Sequence, residues 1–252
     1  MEAAATAPPG VAQTGRVSPP ASDDAPAGDH FADVRVTYTL GALDESDLAA
    51  TPLEQFRRWY ADAVTAAFPE PNAMVLATAD ASGAPAVRTV LLKEADGRGF
   101  AFYTNYTSRK GRQMAIRREV ALSFVWLPLQ RQINILGLAE QVPREESIEY
   151  FTSRPWASRI GAWVSRQSAE VPSREVLERR WAELAERWPD RGRSNDVPIP
   201  EHWGGFVVRA RELEFWQGRP SRLHDRLVML SGSGRPARLD DPLAWRVVRR
   251  QP

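Results

Sequence analysis

Short stretches of alternating apolar and polar residues occupy the middle and the end of the chain and predict a mainly β fold. The first two, 73–79 and 85–93, are joined by the turn-forming residues Asp80-Ala-Ser-Gly83. The other predicted strands cover 99–104, 120–126, 131–142, 204–210, 213–216, 223–230 and 244–248. Many short strands with helices outside them favour a closed or partly open antiparallel barrel.

Five helices are predicted around these strands. The first begins with Thr51 as the N-cap, Pro52 at the first helical position and Glu54 completing a capping box, and Ser108 is the predicted N-cap of another. The remaining three cover about 144–152, 155–164 and 173–188. No G-x-G-x-x-G run follows a strand and no P-loop is present, which argues against a doubly wound nucleotide-binding fold.

The composition fits an ordinary enzyme domain that carries a tail. Of 252 residues, 43% are hydrophobic, and the net charge of +1 gives no general electrostatic case for nucleic acid or an anionic membrane. The absence of cysteine excludes disulfides, thiolate metal sites and cysteine nucleophiles. Residues 1–30 are rich in Ala, Pro and Gly and predict a disordered tail, which leaves 31–252 as a single domain. No secretory signal and no membrane-length apolar run is found, so we expect a cytoplasmic protein.

Lysine is rare in this chain. Lys93 and Lys110 are the only lysines among 33 basic residues. In a chain that otherwise uses arginine, a retained lysine indicates that the position needs a compact ammonium group on a flexible side chain. Chance retention of two surface lysines is the alternative. Because both lie within basic motifs, we interpret them as functional.

One basic motif lies where a predicted strand leads into a helix. After Tyr103 and Thr104, Ser108 is followed by Arg109 and Lys110 in the first helical turn. Positive side chains at this position oppose the helix dipole, at a cost of about 0.3–1 kcal/mol. Free backbone N–H groups at a helix N-terminus bind phosphate, and a bound phosphate would compensate the misplaced charges. The motif therefore predicts a phosphate site.

A second motif has similar chemistry. Tyr150, Arg154 and Ser158 are spaced four residues apart, and Pro155 places Ser158 in the opening turn of a helix. Two interpretations explain this pattern: an anion site, or an arginine packed against a tyrosine at a helix junction.

Other polar side chains fit a bound ligand or an ordinary surface equally well. Strand alternation places Arg88 and Lys93 on opposite faces unless a bulge intervenes, so they serve different anions or one of them is a strand-end charge. Gln132, Gln167 and Ser168 are suited to hydrogen-bonding a heterocycle or a phosphate.

The most informative motif follows Trp216. A predicted strand places Arg222, His224 and Arg226 on one face, because side chains alternate along a strand. Two guanidinium groups beside an imidazole favour an anion between them, since arginine grips phosphate or carboxylate through paired hydrogen bonds. Trp216 is suited to stack on a planar ligand, although large aromatic residues are more often core residues. No partner at metal-ligand spacing accompanies His224, so no metal site is predicted.

Together, these motifs resemble those of the pyridoxamine 5′-phosphate oxidase family. The resemblance covers about residues 35–252 and rests on ordered runs: Arg88-Thr-Val-Leu-Leu-Lys93, Phe102-Tyr-Thr-Asn with Ser108-Arg-Lys110, Arg131-Gln132, Tyr150-Phe with Ser153-Arg-Pro155, Ile160-Gly-Ala-Trp-Val-Ser with Gln167-Ser168, Trp203-Gly-Gly-Phe206, and Phe215-Trp-Gln-Gly with Arg222-Leu-His-Asp-Arg226. The chain departs from the family pattern at Val36, where a basic residue is frequent, and at Arg250, where an apolar residue is usual.

The resemblance implies an FMN-binding split β-barrel that acts as a homodimer with the flavin at the subunit interface. It implies flavin contacts from Arg88, Lys93, Tyr103, Thr104, Arg109, Lys110, Gln132, Gln167, Ser168, Trp216 and Arg226. It implies substrate contacts from Arg35, Tyr38, Lys93, Tyr150, Arg154, Ser158, Arg222 and His224. Four of these would hold the substrate phosphate, namely Lys93, Tyr150, Arg154 and Ser158. Arg222 and His224 would be the catalytic pair over the pyridine ring, and Arg35 and Tyr38 would close over the site.

The implied activity is oxidation of pyridoxamine 5′-phosphate and pyridoxine 5′-phosphate to pyridoxal 5′-phosphate. Hydride would pass from C4′ of the substrate to flavin N5, and O2 would reoxidise the flavin to give H2O2. The alternatives are a related FMN oxidase of another metabolite, such as the phenazine-pathway members, and a non-catalytic split-barrel protein that binds flavin or vitamin B6. Nucleic-acid binding is a remote third alternative. Retention of the full phosphate set and of Arg222 and His224 favours the oxidase.

Overall fold

Nine strands form one continuous sheet within residues 36–252, the part of the chain that this computed structural model describes. The strands are β1 (Ala73–Ala79), β2 (Pro85–Leu91), β3 (Glu94–Asp96), β4 (Gly99–Asn105), β5 (Glu119–Trp126), β6 (Arg131–Gln141), β7 (Trp203–Gln217), β8 (Asp225–Ser231) and β9 (Trp245–Arg249). Their order is β2-β1-β5-β6-β7-β4-β3, and β8 pairs with both β7 and β9. The predicted tail, 1–30, and Arg35 lie outside the described residues.

Strand β7 makes the sheet fork. Residues 203–208 pair with β4 and residues 212–217 pair with β8, whereas β6 runs along both halves. The sequence predicted two separate strands here, which is wrong. The register with β6 shifts beside Gly137 and leaves Arg211 without a partner, which is a β-bulge in an unbroken strand. A Cβ on Gly137 would lie 2.3 Å from a carbonyl oxygen of β7, so only glycine permits this approach.

All five predicted helices are confirmed within the described residues, as α1 (Pro52–Thr65), α2 (Arg109–Ile116), α3 (Arg144–Ser153), α4 (Trp156–Val164) and α5 (Arg174–Arg187). The predicted N-caps are also confirmed. Thr51 Oγ1 accepts a hydrogen bond from the backbone N–H of Glu54 (3.2 Å), and Ser108 Oγ accepts one from that of Gly111 (3.2 Å). In residues 36–252, no helix has the length and apolar character that a membrane span requires.

Helix α1 packs against the curled sheet and fills the main core. Phe56 lies 4.9 Å from Phe100 and 5.2 Å from Phe124, measured between ring centroids, and Trp59 lies 5.4 Å from Phe215. Fully burying side chains of this kind stabilises the fold by about 1.5–3 kcal/mol each. The mainly β fold with flanking helices is therefore confirmed.

A second, smaller core holds the helices beside the end of β4. Phe151 of α3, Ile160 and Val164 of α4, Val197 and Trp203 at the start of β7 are buried together. This cluster places the first turn of α4 and the end of α3 next to the strand end that carries Tyr103 and Thr104. Those elements form walls of the cavity described below.

Candidate functional site

A cavity of about 620 Å³ lies between the ends of β2 and β4, helix α2 and helices α3 and α4. Eight of the predicted site residues line it: Lys93, Tyr103, Thr104, Lys110, Tyr150, Arg154, Ser158 and Gln167. Both lysines of the chain are among them. The structure thus brings together the two basic motifs that the sequence placed 40 or more residues apart, at Lys110 and at Tyr150.

Lys110 is a buried ammonium surrounded by neutral oxygens. Its Nζ donates to Gln167 Oε1 (2.6 Å), Thr104 Oγ1 (3.0 Å) and Ser108 Oγ (3.4 Å). Only 8% of the residue is exposed. Burial, with a smaller contribution from the positive charge of Arg88, lowers the pKa of Lys110 to about 8. A cation desolvated without a counter-charge is suited to receive an anion.

The segment after α4 completes this part of the site. It places Ser168 Oγ where it accepts a hydrogen bond from the backbone N–H of Arg109 (3.2 Å) at the start of α2. The adjacent Gln167 Oε1 also accepts from Thr104 Oγ1 (3.1 Å). Ser168 has a φ of 72°, a left-handed conformation that is uncommon for a residue other than glycine. The loop is therefore held against α2 by specific polar contacts.

Arg88 lies outside this cavity, and strand β2 ends at Leu91, before Lys93, so strand alternation does not relate the two side chains. Its guanidinium donates to Thr78 Oγ1 (2.5 Å), the Leu76 carbonyl (3.2 Å) and Gln113 Oε1 (3.3 Å). Burial and the nearby charge of Arg109 lower its pKa. Arg88, Arg109 and Lys110 thus form a positive region around the start of α2.

Three aromatic rings form a stack along one wall. Tyr103 lies 4.0 Å from Tyr150 with an interplanar angle of 20°, and 5.5 Å from Trp203 with an angle of 13°. A Cβ on Gly205, the cross-strand partner of Tyr103, would lie 2.7 Å from the Tyr103 ring. Burial raises the pKa of Tyr103 to about 12, so its hydroxyl stays protonated. Glycine at 205 is therefore what allows the ring to lie flat.

Arg154 sits against this stack with an unsatisfied donor. Its Cζ lies 4.8 Å from the centroid of the Trp203 ring, and its buried Nη1 finds no hydrogen-bond partner among residues 36–252. Burial lowers the pKa of Arg154. Lys93 Nζ lies 6.0 Å from the centroid of the Tyr150 ring, and Ser158 lines the same space from the first turn of α4. An unpaired buried guanidinium group is costly unless an anion is bound.

Most cations of the predicted site have no carboxylate partner. In the described part of the chain, no ion pair is formed by six of the predicted ligand-binding cations: Arg88, Lys93, Arg109, Lys110, Arg154 and Arg222. Exposed arginines elsewhere in that part, such as Arg57 and Arg112, are also unpaired, whereas Lys110 and Nη1 of Arg154 are buried. The site therefore holds buried positive charge that residues 36–252 leave uncompensated.

Tyr38, Trp216 and His224 form a second cluster, which does not line this cavity. Trp216 and His224 lie 4.6 Å apart, and Tyr38 lies 5.9 Å from Trp216 and 5.8 Å from His224, all between ring centroids. Gln132 and Arg226 are the cross-strand neighbours of Trp216 on its two sides.

Arg226 already has a carboxylate partner. Its Nη2 and Nε donate to Oε2 of Glu214 (2.5 and 3.2 Å), a residue that is only 6% exposed. A neighbouring carboxylate also accounts for the arginine at position 250, where the chain departs from the family pattern. Arg250 Nη1 donates to Glu212 Oε1 (2.6 Å), so this arginine is compensated at the end of the chain.

The predicted strand face of Arg222, His224 and Arg226 is wrong. Strand β8 begins at Asp225, and the preceding residues form a short 3₁₀ turn in which Arg222 has a φ of 62°. Pro220 begins this turn and cannot extend a sheet ladder, because it lacks a backbone N–H. Arg222 is consequently exposed on a turn, beside the strand rather than within it.

His224 is held in one orientation. Its Nδ1 accepts a hydrogen bond from the backbone N–H of Arg219 (3.0 Å), which leaves the proton of the neutral ring on Nε2. Burial, together with the charge of Arg222, lowers the pKa of His224. The imidazole is therefore neutral near pH 7 and presents Nε2–H as a donor.

Some cavity residues escaped the sequence argument. Trp203, Asn105, Thr89 and Leu91 line the cavity, and all four lay in motifs that the resemblance used, but no role was predicted for any of them. The sequence signal for Trp203 was the pair of consecutive glycines after it, Gly204 and Gly205, inside a predicted strand. Glycine within a strand marks a close approach of other groups.

Comparisons with known proteins show the family of the chain. The family model described as pyridoxamine 5′-phosphate oxidase matches residues 60–187, and that described as the pyridoxine 5′-phosphate oxidase C-terminal dimerisation region matches residues 203–252. A pyridoxine/pyridoxamine 5′-phosphate oxidase of Kineococcus radiotolerans is 60% identical over 218 residues, covering 86% of this chain and 97% of that protein. One of Cupriavidus taiwanensis is 50% identical over 222 residues, covering 88% and 99%.

Two solved structures share the fold. PhzG of Burkholderia lata, in complex with tetrahydrophenazine-1-carboxylic acid, has a TM-score of 0.73 and 29% identity over 84% of this chain and 99% of that one. A pyridoxamine 5′-phosphate oxidase-related, FMN-binding protein of Nostoc punctiforme has a TM-score of 0.59 and 14% identity over 78% and 97%. The forked sheet is thus the split barrel that the sequence predicted, and the dimerisation region supports a homodimer. The chain belongs to the pyridoxamine 5′-phosphate oxidase family.

Proposed function

We propose that this protein is an FMN-dependent oxidase that converts pyridoxamine 5′-phosphate and pyridoxine 5′-phosphate to pyridoxal 5′-phosphate. O2 would be the electron acceptor and H2O2 a product with either substrate, and from pyridoxamine 5′-phosphate water would also release the amino group as ammonia. The observation that carries this proposal is the set of cations around the cavity that have no carboxylate partner in residues 36–252. Two phosphate-bearing ligands would supply the missing negative charge.

The first group of cations fits the phosphate end of FMN. Lys110 is held by neutral acceptors and has a lowered pKa, and Arg109 presents its backbone N–H beside Ser168. Arg88, Arg109, Lys110, Thr104, Gln167 and Ser168 would hold this end of the cofactor, and Tyr103 would contact it along the wall. Bound FMN would supply the two-electron acceptor that no amino-acid side chain provides.

The second group fits the phosphate of the substrate. Arg154, whose Nη1 is buried without a partner in the described residues, lines the same cavity as Lys93, Tyr150 and Ser158. Guanidinium and ammonium groups together neutralise a phosphate dianion, and hydroxyl groups add neutral donors. Anchoring the phosphate fixes the distance of the reacting carbon from the flavin side of the cavity.

The aromatic cluster fits the other end of the substrate. His224 presents Nε2–H as a donor, Arg222 is a free cation among the described residues, and Trp216 offers a flat ring. These groups would bind and orient the pyridine ring, with Tyr38 beside them. No strong base would be needed to form a carbanion at the reacting carbon, because hydrogen would leave as hydride, and the proton of the hydroxyl or amino group would pass to water.

We propose that the two clusters meet across the subunit interface. Within residues 36–252 of one chain, the aromatic cluster does not line the cavity, although the proposed function needs both to hold one substrate. A two-fold dimer would place the cavity of one subunit next to the aromatic cluster of its partner, twice over. Gln132, Trp216 and Arg226 would then contact flavin bound mainly by the other subunit.

The direct test is an oxidase assay on the purified protein with its visible spectrum recorded. We expect a yellow protein that releases H2O2 with pyridoxine 5′-phosphate and pyridoxamine 5′-phosphate, and at least about 100-fold less efficiently with the unphosphorylated vitamers. A colourless preparation that FMN does not reconstitute would contradict the cofactor. A yellow protein that turns over none of these vitamers would leave the binding-protein alternative and an oxidase of another metabolite.

A second candidate is an FMN oxidase of another metabolite, which the similarity to PhzG favours. The cations at Lys93 and Arg154 would hold a carboxylate as well as a phosphate, although the hydroxyls of Tyr150 and Ser158 add donors that a phosphate uses better. Including a tricyclic carboxylate in the same assay separates the two. Faster turnover of that compound than of the phosphorylated vitamers would favour the second candidate.

A further inference from the structure

The segment Tyr38–Glu45, which we call the strap, is tethered by side chains. The backbone N–H of Leu40 donates to Gln130 Oε1 (3.1 Å), and the carbonyl of Gly41 accepts from Arg219 Nη1 (3.2 Å). In the described part of the chain, no backbone–backbone hydrogen bond joins the strap to the sheet. The position of the strap therefore depends on a few specific side chains.

The strongest tether involves Arg249 of β9. Leu43 donates its N–H to Asp225 Oδ2 (3.0 Å), and its carbonyl accepts from Arg249 Nη2 (3.2 Å). Arg249 Nη1 donates to Asp225 Oδ1 (2.8 Å). The same guanidinium binds Asp44 Oδ1 (2.6 Å) and both carboxylate oxygens of Glu45 (3.0 and 2.9 Å). We call Arg249 with these three carboxylates the clasp.

The clasp is stronger than an ordinary surface ion pair. Isolated exposed pairs contribute little to stability, whereas bidentate contacts within a network of charges are the exception. The hydrogen bond from Arg249 lowers the pKa of Glu45 to about 2, and Glu45 in turn raises that of Arg249. Glu45 and Arg249 are therefore both charged throughout the neutral range.

The other end of the strap carries Tyr38 to the aromatic cluster. Its ring meets Trp216 edge-on and lies beside His224. A Cβ on Gly218 would lie 2.7 Å from the Tyr38 ring, so glycine leaves the space that the ring occupies. Arg219 connects the aromatic cluster to the strap. Its backbone N–H donates to His224 Nδ1, and its side chain donates to the carbonyl of Gly41 in the strap.

We propose that Arg249 is a positioning residue that fixes the strap, and with it Tyr38, over the substrate-binding face of His224 and Trp216. Arg249 touches neither of these rings. It acts through Asp225, which directly follows His224 in the chain, and through Asp44 and Glu45. The ligand held beneath the strap would be a planar heterocycle bearing a phosphate. This identification of the ligand rests on the proposed function, whereas the clasp itself does not.

Arginine rather than lysine is required at this position. The guanidinium of Arg249 uses Nε, Nη1 and Nη2 at once, to a backbone carbonyl and three carboxylates. An ammonium has three donors on a single atom and cannot span these acceptors. The variant Arg249→Lys should therefore retain the charge but only part of the function.

The test compares Arg249→Gln, the double variant Asp44→Asn with Glu45→Gln, and the combination of all three. Arg246→Gln is the matched control, since Arg246 is an exposed arginine on the same strand. In full-length protein saturated with FMN, we expect amide hydrogen exchange at Leu40 and Leu43 to rise at least about tenfold in the first three variants and not in the control. The Asp44 and Glu45 substitutions lie outside the sheet, so they report on the clasp even if Arg249→Gln destabilises β9.

The kinetic arm separates positioning from general stability. With the phosphorylated vitamer, we expect KM to rise about 5- to 20-fold while the Kd for FMN stays within about twofold, and Arg249→Lys to be intermediate. The combined variant should be no worse than Arg249→Gln alone, because all three changes break one network. Wild-type exchange at Leu43 in Arg249→Gln, or additive effects in the combined variant, would overturn the proposal. An inactive wild-type protein with the expected exchange pattern would instead contradict the proposed function and leave the clasp standing.

Discussion

Nζ of Lys110 lies 2.6 Å from Oε1 of Gln167, although 57 residues separate the two along the chain. The contact joins the first turn of α2 to the loop after α4 and leaves the ammonium among neutral oxygens. A lysine that is buried in this way retains its charge only at a cost. A bound phosphate would remove that cost, and this has measurable consequences.

FMN binding should depend on pH through Lys110. Its pKa is lowered to about 8, so the cation is lost as the pH rises through that value. The phosphate of FMN is a dianion above about pH 6, so affinity should be greatest between about pH 6 and pH 8 and then fall by up to tenfold per unit. Titration of flavin fluorescence from about pH 6.5 to pH 9.5 measures this. Lys110→Gln should bind more weakly at pH 7 and lose the decline above pH 8. A constant wild-type Kd across this range would contradict the assignment.

Replacing Gly205 by alanine should disturb the aromatic stack. The added Cβ would lie 2.7 Å from the Tyr103 ring and from a methyl group of Val142, so the free energy of unfolding should fall by about 1–3 kcal/mol. KM should also rise, because Tyr103 and Tyr150 form one wall. Gly232→Ala is the control, since its nearest neighbour lies 3.7 Å away. Thermal unfolding of both variants checks this. Equal melting temperatures for the two variants would show that the Tyr103 ring can move aside without destabilising the fold.

Arg222→Ala should impair turnover without releasing the flavin. Arg222 is exposed on its turn and forms no ion pair within residues 36–252, so its removal leaves no buried partner behind. Loss of one charge-assisted contact costs about 1.5–3 kcal/mol, which corresponds to a fall in kcat/KM of about 10- to 150-fold. The Kd for FMN should stay within about threefold. Near-normal kinetics would reject a role at the pyridine ring.

Mixed dimers test whether a site uses both subunits. Arg154→Ala alters the cavity and Arg222→Ala alters the aromatic cluster, so each homodimer should be poorly active at substrate concentrations well below KM. In a hybrid of the two chains, a site across the interface would pair one intact cavity with one intact cluster. Unfolding and refolding an equal mixture should then restore about a quarter of wild-type activity. Activity no higher than that of the two variants would place each site within one subunit.

The sequence predicted those parts of the fold that depend on local patterns. Strand β1 and the N-caps Thr51 and Ser108 follow from alternation and capping chemistry, which act over a few residues. The split of β7 into two strands was wrong, because the bulge at Arg211 interrupts alternation without interrupting pairing. The pairing that maintains the strand comes from β6, and no local pattern reveals it.

The same distinction applies to the site. The unusual charge at the start of α2 predicted an anion site at Arg109 and Lys110, because the helix dipole is a local effect. The turn at Arg222 was misinterpreted as part of a strand. The apolar residues that follow it do form a strand, and the alternation of basic residues before them resembles a continuation of that strand. The contact of Lys110 with Gln167 and the clasp at Arg249 are long-range, so only the folded chain reveals them.

The central claim is that the unpaired cations of the cavity recognise phosphate, and Arg154 tests it most directly. The measurement is the ratio of kcat/KM for pyridoxine 5′-phosphate to that for pyridoxine, in wild type, in Arg154→Ala and in Arg174→Ala, an exposed arginine of α5 as control. We predict that the ratio falls at least about tenfold in Arg154→Ala, through a higher KM for the phosphorylated substrate alone, and is unchanged in the control. An unchanged ratio in Arg154→Ala, or an equal loss with both substrates, would contradict the account.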